Sequence, residues 1–281
     1  MLGNLATGQL AENTVGRYRL EAMLGQGGMG TVYRATCSDT GETVALKLIN
    51  SELARDDESE RRFVHEARAA REVEHRSLVA LLDFGEHQGR RYIVMRYVAG
   101  QSLEQRLAAE GPLAITQLVS MTGQVARALD ALHQAGVIHR DIKPGNILFE
   151  LDGSAVLTDF GLAKGAGFSA LTRPGAIVGT LDYLAPERIH GDEATAASDI
   201  YALGCVAYEA LSGKPPFAGQ GLFELAAEIL GEDPPDPGAG RDDCSAELSQ
   251  AILTALVKDP AERPPTATAY ANLLTVAAGS A

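Results

Sequence analysis

Cysteine is scarce in this chain, and its three cysteines, Cys37, Cys205 and Cys244, are far apart with no C-x-x-C pair. An odd, scattered set argues against a disulfide framework or a cysteine-ligated metal, and it suits a reducing compartment. Polar or charged residues interrupt every apolar run well before the ~18 residues that a membrane span needs. The N-terminus shows no basic region followed by an apolar core, so we expect no secretory signal.

Positive charge is also in short supply: 24 lysines and arginines stand against 37 aspartates and glutamates, for a net charge of −13. Sequence-independent binding to nucleic acid needs a basic face, so we expect no nucleic-acid partner. With 281 residues, 46% of them hydrophobic, the chain can form one large soluble domain or two lobes with buried cores. We expect a cytoplasmic protein, or the cytosolic part of a longer membrane-anchored one.

What the sequence does contain begins with RYRLEAMLGQGGMGTVYRAT, residues 17–36, in which Gly25, Gly27 and Gly30 follow the spacing G-x-G-x-x-G. This spacing is typical of phosphate-binding turns, but alone it is a weak signal. Period-two alternation before the glycines and β-branched residues after them predict a strand on both sides. A hairpin with a glycine turn therefore fits better than the strand–glycine–helix unit of a dinucleotide fold, while an ordinary glycine-rich hairpin stays open at this point.

The first hundred residues read mainly as strands, and the rest reads mainly as helices. Alternation predicts strands at 17–24, 31–36, 43–49, 78–84 and 92–98. An acidic start and an apolar stripe at helical spacing predict a helix at 54–74. Further helices are predicted at 114–135, 198–213, 245–258 and 266–277, with a short hairpin of strands 147–149 and 155–157.

A lysine and a glutamate in the first part are candidates for an ion pair. Lys47 lies on the predicted strand 43–49 among small and apolar neighbours, where a partly buried ammonium needs an anionic partner. Glu66, on the predicted helix, is a candidate for that partner. Taken singly, Lys47 is equally well explained as a lysine at a strand edge and Glu66 as a solvated helical glutamate.

The most specific pattern lies in three stretches: HRDIKPGNIL at 139–148, LTDFG at 157–161 and GTLDYLAPE at 179–187. A single aspartate in a loop is usually a turn or cap residue. Two acids, a lysine and an asparagine that accompany a glycine turn are hard to explain as caps. With these motifs the sequence resembles the protein kinase family over about residues 17–275, and most closely the bacterial serine/threonine kinases of eukaryotic type.

The resemblance implies the α+β, bilobal protein kinase fold, with a small β-rich N-lobe that carries one main helix and a larger, mostly helical C-lobe. It places a kinase domain at 17–275, with N-lobe 17–95, hinge 96–100 and C-lobe 101–275. Residues 1–16 would then be a flexible leader and residues 276–281 a tail.

The resemblance also implies a catalytic role for each matched residue. Lys47 would hold the α- and β-phosphates of ATP and be oriented by Glu66. Asp141 would accept the proton of the substrate hydroxyl or orient that hydroxyl, and Lys143 would neutralise charge on the transferred phosphoryl group. Asn146 and Asp159 would hold Mg²⁺, with Mn²⁺ as the alternative ion.

The implied ATP-binding positions lie around the glycine turn, the strand of Lys47 and the hinge. They are Leu24, Gly25, Gln26, Gly27, Gly28, Met29, Gly30, Thr31, Val32, Ala45, Lys47, Met95, Arg96, Val98 and Leu148. Arg96 departs from the family, which often has an acid there. Because adenine would contact the main-chain carbonyl at this position, we do not expect the basic side chain to weaken ATP binding.

The remaining matched residues are regulatory or structural. Thr172, and second Ser169, are predicted autophosphorylation sites whose phosphate would dock near Arg140. The alternative is that both are ordinary loop hydroxyls, and Pro174 and Gly175 weaken any expectation of two phosphates. Thr180 matches the threonine that lines the acceptor site. Glu187 and Arg263 match a buried ion pair, and Asp199 matches a residue that braces the catalytic loop.

The leading hypothesis is an ATP-dependent serine/threonine protein kinase that acts on proteins in bacterial signalling. A pseudokinase that binds ATP as a scaffold is the binding-module alternative, and a kinase of small molecules is a third. The strand predicted after Gly30 excludes a dinucleotide-dependent oxidoreductase. Related kinases also dimerise through the small lobe, so a homodimer is compatible with the sequence.

Overall fold

The computed structural model describes residues 14–50, 57–161, 181–219 and 221–279, without the side chains of 57–60 and 62. These residues form two compact units. The first contains residues 14–50 and 81–97, and the second contains residues 57–80 and 98–279. The predicted N-lobe, 17–95, differs from the first unit because the segment 57–80 groups with the second.

The first unit is built on an antiparallel sheet with the strand order β1-β2-β3-β4-β6-β5. Its strands are β1 (Thr14–Val15), β2 (Tyr18–Gly27), β3 (Gly30–Cys37), β4 (Thr43–Ile49), β5 (Leu81–His87) and β6 (Arg90–Arg96). Leu46 and Leu48 of β4 pack into the buried cluster of this unit with Val94 of β6. Side chains alternate between the faces of a strand, so Ala45 and Lys47 lie on the opposite face.

Strands β2, β3 and β6 differ by one to three residues at each end from the predicted 17–24, 31–36 and 92–98, and two other differences in the first unit have a visible cause. Strand β1 lies within the range predicted as a leader, and Val15 is buried in the sheet cluster because β1 pairs with the start of β2. The strand predicted at 78–84 is β5 at Leu81–His87. Residues 78–80 precede it because the amide of Val79 donates to the carbonyl of Leu157 at 2.9 Å, within the second unit.

The second unit is mainly helical. Its elements are α1 (Asp57–Arg71), α2 (Leu103–Glu110), α3 (Ile115–Gln134), β7 (Ile147–Phe149), β8 (Ala155–Leu157), α4 (Pro186–His190), α5 (Ala196–Ser212), α6 (Leu222–Gly231), α7 (Ala246–Leu253) and α8 (Ala267–Ala278). Helix α5 is buried around nearly its whole circumference, as its apolar sequence predicts. Three helices, α2, α4 and α6, are absent from the prediction.

The β7–β8 hairpin and the buried start of α5 position the polar residues of the second unit. Ile147 pairs with Leu157, and beyond this pair the amide of Thr158 donates to the carbonyl of Asn146 at 2.9 Å. The backbone of Asn146 is thereby fixed beside Thr158, which follows β8 and directly precedes Asp159. None of the described helices combines the length and the apolarity that a membrane crossing requires.

Candidate active site

The glycine turn joins β2 to β3, so a strand follows the last glycine as the sequence predicts. Gly30 is required by the protein itself: its φ is +154°, and a Cβ there would lie 2.0 Å from the carbonyl oxygen of Leu48. At Gly25, Gly27 and Gly28, by contrast, an added Cβ would have no described atom within 4 Å. The protein's own packing therefore explains glycine at only one of these four positions.

Four of the predicted ATP-site residues share one face of the first sheet. Val32 on β3 lies opposite Lys47 on β4, and Ala45 on β4 lies opposite Met95 on β6. Residues directly opposite each other, and residues two apart on one strand, point to the same side of a sheet. Lys47 is 6% exposed on this face. Lys47 is thus buried on a face that also carries Val32, Ala45 and Met95, as the pattern of β4 predicts.

The backbone at the start of the stretch 139–146 is hydrogen-bonded to one buried carboxylate, that of Asp199. Asp199, in the first turn of α5, accepts the backbone amide of His139 at 2.8 Å and that of Arg140 at 2.9 Å. His133 Nε2, on α3, lies 2.8 Å from the same carboxylate. Asp199 is 1% exposed, so its charge is compensated by these donors rather than by water. These two bonds are the contacts that the bracing role predicted for Asp199 requires.

Two predicted residues, Lys143 and Asn146, meet at Asp141. Lys143 Nζ lies 3.1 Å from Asp141 Oδ2, and Asn146 Nδ2 donates to the same oxygen at 2.9 Å and to the Asp141 carbonyl at 2.7 Å. Because the amide nitrogen of Asn146 is turned to Asp141, its amide oxygen is the atom left for a cation. A buried carboxylate that a cation and an amide donor hold in one orientation is suited to position an incoming hydroxyl.

The donor set beside Asp141 fits a hard divalent cation. Asn146 offers an amide oxygen and Asp159 a carboxylate, and oxygen ligands of this kind suit Mg²⁺. Among the described residues there is no cluster of three or more His, Cys, Asp or Glu, so a transition-metal centre of that kind is not formed there. Two protein oxygens that leave room for phosphate and water are the usual arrangement for Mg²⁺.

Backbone strain is concentrated at this loop. Arg140 and Asp159 both have φ of +64°, a left-handed conformation that non-glycine residues seldom adopt. His139, which directly precedes Arg140, is fully buried: its Nε2 lies 3.1 Å from the carbonyl of Thr158, and its Nδ1 lies 3.3 Å from the amide nitrogen of Asp141. Burial lowers the pKa of His139, although the nearby carboxylates of Asp199 and Asp141 oppose the shift. The ring is neutral, with Nδ1 accepting and Nε2 donating.

Glu66 makes its ion pair inside the second unit. Nη1 of Arg140 donates to both carboxylate oxygens of Glu66, at 2.7 and 2.6 Å. The two side chains are 22% and 19% exposed, so water screens the pair only partly. The resemblance implies that Glu66 orients Lys47, and separately that Arg140 receives a phosphate. In the structure, Glu66 and Arg140 pair with each other.

The predicted pair of Glu187 and Arg263 is present and well supported. Both terminal nitrogens of Arg263 donate to Glu187, each at 2.8 Å, and Ser198 Oγ adds a bond of 2.7 Å. Burial alone would raise the pKa of Glu187, but the hydrogen bonds from Arg263 and Ser198 outweigh it and the pKa is lowered. The guanidinium also donates to backbone carbonyls, including that of Val257 at 2.9 Å.

Sequence reasoning missed several residues that support the site, among them His133, Ser198 and Asn50. His133 follows the helical period of α3 and looks like any histidine near a helix end. Ser198 lies three residues after the N-cap Thr195, a capping-box spacing that was visible in the sequence. The predicted sites Ser169, Thr172 and Thr180 lie outside the described residues.

Comparisons with known proteins place these features in a family. A family model described as Protein kinase domain matches residues 18–273. Serine/threonine-protein kinase PknA of Mycobacterium tuberculosis is 41% identical over 253 residues, which cover 88% of this chain and 58% of PknA. Serine/threonine-protein kinase PknB of the same species is 39% identical over 257 residues, which cover 89% of this chain and 41% of PknB.

A solved structure is similar over its whole length. The crystal structure of the Mycobacterium tuberculosis PknI kinase domain matches with a TM-score of 0.78 and 30% identity, and the match covers 98% of this chain and all of that domain. The chain spans about half the length of the curated relatives that it matches.

Proposed function

The chain belongs to the protein kinase family, and from this premise we propose that it transfers the γ-phosphoryl group of ATP to serine and threonine hydroxyls of proteins in bacterial signalling. The observation that carries the proposal is the convergence of Lys143 and Asn146 on the buried carboxylate of Asp141. Lys143, two residues after Asp141, is the pattern of serine/threonine kinases rather than tyrosine kinases. The names of the curated relatives support the same specificity.

Positioning and charge compensation would do most of the catalytic work, since phosphoryl transfer asks for little covalent chemistry from the protein. Asp141 would accept the proton of the incoming hydroxyl, or hold that hydroxyl in line. Lys143 would neutralise the charge of the transferred group. Asp199 would keep both residues in place through the backbone of the loop.

Membership of the family implies the use of ATP and a divalent metal ion. We propose that Mg²⁺ is the ion and that Asn146 and Asp159 hold it. When bound, the ion would neutralise the phosphate oxygens. Lys47 would contact the α- and β-phosphates, and the backbone of Gly25–Gly30 would cover them. The absence of a packing reason for three of these glycines supports a ligand at the turn.

Adenine would lie against the face of the first sheet that carries Val32, Ala45 and Met95. The backbone of Arg96 and Val98 would bond its edge, and Leu24 and Leu148 would complete the contacts. We further propose that Thr172, and second Ser169, become autophosphorylated and that Arg140 receives the phosphate.

Transfer of labelled phosphate from Mg·ATP, both to the chain itself and to a generic basic protein, tests the proposal. Asp141→Asn should keep ATP affinity and lose about 10²–10⁴-fold in turnover, because the proton acceptor is removed. Lys47→Met should lose turnover and phosphate alignment together. Asp152→Asn, in the exposed turn between β7 and β8, is the matched control and should retain full activity.

The outcomes separate the alternatives. ATP binding without transfer in the wild-type chain would indicate a pseudokinase. Transfer to a small alcohol but to no protein would indicate a kinase of small molecules. Undiminished transfer by Asp141→Asn would contradict the assignment of Asp141.

A further inference from the structure

Asn50 holds the tip of the glycine turn. Its side-chain nitrogen Nδ2 donates to the carbonyl of Gly28 at 2.9 Å, and its backbone amide donates to the carbonyl of Met29 at 3.0 Å. Asn50 directly follows β4, the strand of Lys47, and the ladder register there pairs Gly30 with Ile49. Both carbonyls at the tip of the turn are therefore tied to the end of β4.

This attachment determines where one amide of the turn points. In a trans peptide the C=O and the N–H of the same plane point in opposite directions. Drawing the carbonyl of Gly28 toward Asn50 thus directs the N–H of Met29 away from it. A backbone N–H that is oriented before binding needs no reorganisation to meet a phosphate oxygen.

The pairing of Gly27 with Gly30 closes the hairpin, but the Gly28–Met29 peptide between them can take either of two opposite orientations, depending on the turn type. At Gly27 and Gly28 no described atom lies close enough to contact an added Cβ, and Gly28 carries no side chain of its own. Glycine has the largest conformational freedom of any residue, so an unrestrained tip would sample many peptide orientations. The side chain of Asn50 supplies the restraint from outside the turn.

We infer that Asn50 is a positioning residue for the phosphates of ATP, which acts by holding the Gly28–Met29 peptide with its N–H directed to the ligand. The inference rests on the proposed function, because it assumes that the glycine turn covers the triphosphate. Asn50 itself needs no contact with ATP. Its effect passes through one hydrogen bond, which a substitution can remove while the backbone bond from Asn50 to Met29 remains.

The test compares the affinity for ATP with the affinity for adenosine, which lacks phosphates. Asn50→Ala should weaken Mg·ATP binding by about three- to ten-fold, the usual effect of one lost hydrogen bond, and leave adenosine binding unchanged. Asn50→Gln, which keeps an amide donor on a longer stem, should recover part of the ATP affinity. Asn272→Ala, which removes an exposed asparagine from α8, is the matched control and should change neither affinity.

Hydrogen–deuterium exchange of the nucleotide-free protein gives a second, ligand-independent reading. Amides of residues 27–30 should exchange faster in Asn50→Ala than in the wild-type chain, because the tip is no longer held. Equal loss of ATP and adenosine affinity, or unchanged ATP affinity with unchanged exchange, would overturn the role of Asn50. Absence of ATP binding by the wild-type chain would instead contradict the proposed function, and the exchange measurement would still decide whether Asn50 holds the turn.

Discussion

Arg263 grips Glu187 with two parallel hydrogen bonds, one from each terminal nitrogen, both 2.8 Å long and both buried. Arg263→Leu should destabilise the fold by about 3–5 kcal/mol, because it leaves the carboxylate of Glu187 buried without its cation. Chemical denaturation measures this loss. Arg19→Leu, which removes the pair of a largely exposed arginine with Glu21, should cost no more than about 1 kcal/mol. Equal effects of the two substitutions would show that burial of the Arg263 pair does not matter.

Acidification should destabilise the protein through His139. Burial lowers the pKa of this ring below its ordinary value of 6.5, so the unfolded chain takes up the proton first as the pH falls. The contribution is fully present above the unfolded pKa and is lost below it, with a slope of up to about 1.4 kcal/mol per pH unit. Burial lowers the pKa of His75 as well, which adds to the same trend.

Urea denaturation between pH 7 and pH 5 measures the slope. The pKa of Glu187 is lowered, so its contribution to the free energy of unfolding is lost only below the ordinary value of 4.5. Glu187 therefore does not affect the slope between pH 7 and pH 5. His139→Asn should reduce the slope. An unchanged slope in this variant would assign the acid sensitivity to other groups.

Substitutions in the glycine turn should separate stability from ligand binding. Gly30→Ala places a methyl group 2.0 Å from the carbonyl oxygen of Leu48 at a φ of +154°, so the β2–β3 hairpin must shift. We expect a loss of about 1–3 kcal/mol in the free energy of unfolding. Gly28→Ala meets no described atom and should leave the melting temperature unchanged while it weakens ATP binding. A stable Gly30→Ala variant would contradict the structure at this turn.

Turnover should depend on the charge of Asp199, although this residue touches no substrate. Asp199→Asn keeps the shape of the side chain but replaces one carboxylate oxygen with an NH₂ group. This group cannot accept a hydrogen bond from the amide of His139 or Arg140 that donates to the oxygen in the wild-type chain. The catalytic loop would then shift, and misplacement by about 1 Å can cost about 10²-fold in kcat. ATP affinity should change little. Steady-state kinetics measures the loss in kcat, and ATP titration measures the affinity, which should be kept. An unaltered kcat would exclude a bracing role.

A phosphate on Thr172 or Ser169 should meet a carboxylate at Arg140. Because Glu66 already accepts from Nη1 of Arg140, a docked phosphate would share this guanidinium with a second anion. Mass spectrometry of active protein should find Thr172 modified, with Ser169 second, and Thr172→Ala should lower the activity. Fully active protein without phosphate at either residue would refute this regulation.

The sequence predicted the fold because its local patterns and its family motifs are strong signals. The strands at 43–49, 147–149 and 155–157 have the predicted bounds, since alternation and a tight Asp-Gly turn are strong local signals. The family resemblance is confirmed by the match over residues 18–273 and by the similarity to a solved kinase domain.

What escaped prediction depends on contacts between distant parts of the chain. His133 and Asp199 are 66 residues apart, and no periodicity relates them. The bond from Asn50 to Gly28 joins residues 22 positions apart, and no sequence pattern in either segment indicates it. The short helices α4 and α6 follow Ala185 and Gly221, neither of which caps its helix with a side chain, although Pro186 at the first position of α4 was a readable start signal. Helix α2 did begin with a readable capping box, from Ser102 to Gln105.

The carboxylate of Asp199 also limits whether the segment 139–146 could work in another protein. A transplant of the segment 139–146 into an unrelated scaffold would carry the reactive groups but not the acid that suspends their backbone, since that acid belongs to a helix some sixty residues downstream. Any designed chimera must therefore exchange the segment 139–146 and the start of α5 together.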